Sequence, residues 1–114
     1  MVVGAALIEL HVHGSHSLKE KRGVVQSIKG RLRNRFNVAV AEVGGQDTWQ
    51  RALLGLGAVG SDRTRVRKVL EQSIEFVEQL HLAEVLNSEV ECLVLPHEGL
   101  GAAPWDDAEE EEES

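Results

Sequence analysis

The sequence is poor in the features that mark most of the familiar function classes. Cys92 is its one cysteine, so no disulfide can close within the chain and a reducing cytoplasm is the expected compartment. No run approaches the ~18 apolar residues of a membrane span. Met1 to Leu10 is apolar, yet Glu9, His11 and His13 intervene at once and no basic segment precedes it, so no export signal is expected. No glycine-rich loop leads into Lys-Ser or Lys-Thr, and no strand–turn–helix serine elbow is present. Cys92 sits in the middle of a predicted strand on its core side, where a thiol is inert. These absences predict a protein that is not an enzyme and needs no cofactor.

What is present is charge, unevenly spread. The net charge is −7, but seven of the 19 acids fall in residues 104–114, where no base accompanies them. That leaves 12 acids against 12 Lys and Arg in the rest of the chain. Five consecutive glutamates repel one another and bury nothing, so residues 97–114 read as a disordered acidic tail behind one domain at 1–96.

Within 1–96 the hydrophobic period alternates between two and 3.6. Ala6, Ile8, Leu10 and Val12 share one face of a first strand, with Leu7, Glu9, His11 and His13 on the other. Leu18, Val25, Ile28, Leu32 and Phe36 then share a helical arc, with Ser15 or Ser17 as cap. Gly23 and Gly30 lie on its solvent side, where each costs about 1 kcal/mol against Ala. Residues 38–43 and 49–59 read as a hairpin around Gly44-Gly45-Gln46-Asp47. Asp62 caps a second helix over 63–81, and a last strand over 83–95 is interrupted near Asn87-Ser88 and stopped by Pro96. The order βαββαβ predicts an α+β, ferredoxin-like fold: a four-stranded antiparallel sheet with two helices on one face.

Several motifs carry a family resemblance. They are Ser17-Leu-Lys-Glu-Lys-Arg22, Arg31-Leu-Arg-Asn-Arg-Phe-Asn-Val38, Ala41-Glu-Val43, Asp47, Trp49-Gln-Arg-Ala52 and Gly55. In this order they resemble the YlxP-like family of small bacterial proteins of unknown function, over roughly residues 2–95. The resemblance implies the same ferredoxin-like fold. The family's genes often stand beside those for a translation initiation factor and a ribosome-binding factor, which implies ribosomal or other RNA as a partner.

The strongest physical signal is the first helix. Lys19, Arg22, Lys29 and Arg33 form one flank of its apolar stripe, and Lys21, Arg31 and Arg35 the other. Such a surface can track phosphates, with Arg51 as a further contact. The plainer reading has these side chains lying along the core face or pairing with Glu71, Glu75 and Glu78 of the second helix. The sheet's open face has no tyrosine, and Phe36 and Phe76 fall in helices, so bases cannot stack there in the usual way. It would instead show Leu7, Val43, Leu53, Leu93 and Leu95, a surface suited to a homodimer with no nucleic-acid role.

Two smaller constellations remain. Asp47, Trp49 and Gln50, with Arg51, form the most distinctive loop; a functional reading has Trp49 or Arg51 contacting a ligand or partner, and the plainer, structural one has Trp49 plugging the core edge and Asp47 capping the turn. His11, His13 and His16 offer three imidazoles to a metal, against the plainer expectation of solvated histidines and no metal.

Overall fold

The computed structural model describes residues 1–96. The elements are β1 (Val2–His11), α1 (Leu18–Arg35), β2 (Ala39–Gly44), β3 (Arg51–Gly60), α2 (Arg63–Leu80) and β4 (Glu84–Val94). They form one sheet in the order β2-β3-β1-β4, every neighbouring pair antiparallel. The expected ferredoxin-like arrangement is therefore present.

Each boundary has a local cause. Ser17 caps α1, its hydroxyl accepting from the Glu20 N–H at 3.1 Å. The Glu20 carboxylate reaches back to the His16 N–H at 2.8 Å, so two otherwise orphaned donors are satisfied. Asp62 caps α2 by accepting from the Arg65 N–H at 3.1 Å. That helix stops at Leu80, one residue earlier than expected, because His81 turns left-handed at φ 55° and reverses the chain.

Alternation along the central strands builds the core. Ala6, Ile8 and Leu10 of β1 and Ala52, Leu54 and Leu56 of β3 are buried under the helices. Val25, Ile28 and Leu32 come down from α1, and Val66, Leu70, Ile74 and Val77 from α2. Gly4 lets α2 approach β1 closely: a β-carbon there would stand 2.6 Å from Val66 Cγ1 and 2.7 Å from Leu70 Cδ1.

Two strands differ from the expected pattern. β3 begins at Arg51 instead of Trp49, because a tight turn occupies the preceding residues. Gly45 adopts φ +77°, and the Thr48 hydroxyl lies 3.0 Å from the carbonyl oxygens of both Gly45 and Arg51, between which its one proton is shared. In β4 the interruption falls at Leu86. Glu9 pairs with Asn87 but Leu10 with Val85, so Leu86 is the extra residue of a bulge. Val94, expected inward beside Val90 and Cys92, is exposed, while the other two are half-buried. The acidic tail lies outside the described residues.

Candidate functional site

Eleven of the twelve Lys and Arg residues lie on the two helices, and Arg51 is the exception. On α1 the two flanks of the apolar stripe face different neighbours. Arg33 donates from Nη2 to the Val40 carbonyl at 2.8 Å, which places its flank along the free edge of β2. That bond also covers an outward carbonyl of an edge strand. Lys19 and Arg22 are exposed on the same flank and Lys29 is half-buried. The opposite flank faces α2. The Arg35 guanidinium lies 5.5 Å from the Phe76 ring centre and 6.0 Å from that of Phe36, within cation–π range. Arg31 is exposed and bonds Ser27 Oγ one turn back at 3.2 Å.

Lys21 does not belong to this surface, and the expectation that it would contact phosphate is corrected. Its side chain is fully buried. Its Nζ donates to the Gly45 carbonyl at 2.6 Å, to the Arg51 carbonyl at 3.2 Å and to Glu42 Oε2 at 3.2 Å. Three oxygens satisfy three ammonium protons, which is what a buried lysine requires. The signal was in the helical period. At 100° per residue, Lys21 falls about 20° from both Ile28 and Leu32, inside the apolar arc and not beside it.

Arg51 is displaced from the set for a different reason. It projects from the open face of the sheet, where Nη1 meets Glu9 Oε2 at 2.8 Å across β1 and β3. The sheet therefore separates it from α1. The expected pairing of α1 cations with Glu71, Glu75 or Glu78 is also absent among the described residues; Glu71 pairs with Arg67 of its own helix at 3.2 Å. That exposed pair stabilises by only a few tenths of a kcal/mol. Arg63, Arg65, Arg67 and Lys68 are exposed on the first half of α2, with Arg63 Nη2 3.5 Å from the Cys92 carbonyl of β4.

The β2–β3 loop packs against the start of α1 through Lys21 and through Gln50, whose Nε2 donates to the Ser15 carbonyl at 3.3 Å. Trp49 does not plug the core edge: it is 55% exposed, because the turn below it ends before the ladder begins. Nor does Asp47 cap that turn, a role taken by Thr48.

The open sheet face combines apolar and acidic parts. Leu7, Val43, Leu93 and Leu95 are exposed there and Leu53 is half-buried. A shallow hollow of about 220 Å³ runs beside Leu7 and Gly55 to Glu89 and Glu91. These two acids and Glu84 line β4 on this face, pairing in register with Leu7, Ala5 and His11. At its upper end His11 and His13 come together with ring centres 4.1 Å apart, and Glu84 joins them through a 2.7 Å contact to His13 Nε2. His16 is not part of that group; its backbone serves the α1 cap. Sequence pattern could not supply Glu84, which is 71 residues from His13 and arrives only through strand register.

No described helix is long and apolar enough to cross a membrane. Comparison with solved structures finds likeness of overall shape at low identity. One is a de novo designed protein, Foldit4, 13% identical with a TM-score of 0.46, covering 83% of this chain and 98% of that one. Another is SnoaB, a cofactor-independent oxygenase from Streptomyces nogalater, 13% identical with a TM-score of 0.47, covering 82% and 92%. Both are too distant to bear on activity. A curated relative, "Uncharacterized protein YlxP" of Bacillus subtilis (strain 168), is 42% identical over 77 residues, which is 68% of this chain and 84% of that protein. The family described as "Protein of unknown function (DUF503)" matches residues 3–90, and the chain belongs to that family.

Proposed function

We propose that this protein is a non-catalytic RNA-binding accessory, acting on ribosomal or other RNA through its helical layer. The observation that supports it is the segregation of charge. All the exposed cations but Arg51, which Glu9 pairs on the open sheet face, stand on α1 and the first half of α2, where they outnumber Glu20 and Glu71, while Glu84, Glu89 and Glu91 mark the open face. Positive charge spread evenly would favour solubility alone; positive charge gathered on one layer attracts a polyanion. The stripe of Lys19, Arg22, Lys29 and Arg33 beside the β2 edge fits a phosphate backbone best. Trp49, exposed on the loop tied to the start of α1, adds a flat ring on which one base can stack.

The test is a titration of the full-length chain with a ribosomal RNA fragment and with a random single strand over a salt series. Affinity should fall with salt, log K changing by about −0.7 per tenfold rise in salt for each single-strand phosphate contact. Lys19→Glu with Arg22→Glu, two exposed residues of that stripe, should weaken binding and flatten that slope. Replacing Glu109 to Glu113 by glutamine should tighten it, because those carboxylates compete with phosphate for the same cations. No binding at low salt by either the native chain or the glutamine variant would end the proposal.

A second reading concerns the opposite face and is compatible with the first. Exposed Leu7, Val43, Leu93 and Leu95 favour self-association through the open sheet.

A further inference from the structure

We propose that His11, His13 and Glu84 form a binding site for a divalent transition-metal ion of the zinc class. The site is built by the fold. His11 ends β1 and His13 follows two residues later, beyond a buried Val12. The left-handed turn at His81 starts β4 so that Glu84 stands opposite His11 in register. One ligand atom from each residue lies within 4.8 Å of the others, and His13 Nε2 is already 2.7 Å from Glu84 Oε1.

A tetrahedral zinc ion with bonds of 2.0–2.1 Å needs ligand atoms about 3.4 Å apart. Glu84 and His13 are exposed, so side-chain rotation is the movement that binding requires to draw the ligand atoms in from 4.8 Å. Three protein ligands leave the fourth position to water, and the half-open setting admits it. Two imidazoles and one carboxylate select zinc, cobalt, nickel or copper over magnesium or calcium, which prefer all-oxygen shells. The nearby charges also permit a cation. Arg51 is the closest base in register with His11, and its charge is engaged by Glu9, leaving Glu84 as the net negative group. The His13–Glu84 hydrogen bond uses two of the three groups, and strand register brings His11 within 4.8 Å of both.

Cobalt(II) and zinc(II) titrations of the full-length chain decide the matter. One ion per chain should bind, with visible cobalt absorption of tetrahedral intensity and no sulfur charge-transfer band. His13→Ala and Glu84→Gln should each lower affinity about tenfold or more. His16→Ala should leave it unchanged. Zinc should raise the melting temperature of the native chain and not of Glu84→Gln, a readout independent of RNA binding. Both variants alter exposed side chains, so their metal-free melting should match the native protein. Affinity within threefold of native in both variants would overturn the site. So would loss of binding in His16→Ala with retention in Glu84→Gln, which would place the ion in the loop.

Discussion

Lys21 shows how much one side chain can decide. Its ammonium joins α1 to the end of β2 and to the first residue of β3, so it fixes the β2–β3 loop from below. Lys21→Met keeps much of the volume and removes the donors. The Glu42 carboxylate, only 16% exposed, then loses its partner, and the Gly45 and Arg51 carbonyls are left to Thr48. Each buried acceptor left unsatisfied costs about 1–3 kcal/mol, so urea denaturation should show a loss of about 2–4 kcal/mol. Adding Glu42→Met should recover part of it, because the stranded charge disappears. Trp49 makes the contrasting case, since its exposure gives it no comparable role in stability. Trp49→Ala should barely move the urea midpoint, while weakening RNA binding by the ~1–3 kcal/mol of one stacked base.

Single elements were legible to different depths. The core faces of β1 and α1 could be read directly because a two-residue and a 3.6-residue period leave little choice of which side is buried. The hairpin loop could not, since its geometry depends on Gly45 at φ +77° and on the Thr48 hydroxyl, and the residue types alone do not say which glycine or which polar side chain takes those roles. Glycines divide in the same way. Gly4 is set by packing, and Gly4→Ala should push α2 off β1 and cost about 1–3 kcal/mol by thermal or urea unfolding. Gly23 and Gly30 are not: a β-carbon at either meets nothing within 4 Å. Alanine at each should therefore stabilise α1 by about 1 kcal/mol. If RNA affinity drops while stability rises in those variants, the glycines serve a backbone that approaches that side of the helix.

At the scale of the whole molecule, the sheet divides a basic helical layer from a face that is apolar in the middle and acidic along β4. That division could be half foreseen. The cations of α1 are contiguous in sequence, but the acids of β4 and the pairing of Arg51 with Glu9 come together only through strand register. The division also makes the two surfaces separable by experiment. Leu93 is 57% exposed on the open face and far in register from the His11–Glu84 end, pairing with Val3. Leu93→Glu places a carboxylate in the apolar patch beside Glu91, so a dimer closed through this face would bring like charges together in an excluded-water interface. Light scattering should then show the native chain at twice the mass of the variant, with α1-dependent RNA binding unchanged in both. A native chain that runs as a monomer at high concentration would exclude self-association and leave the open face to a different protein.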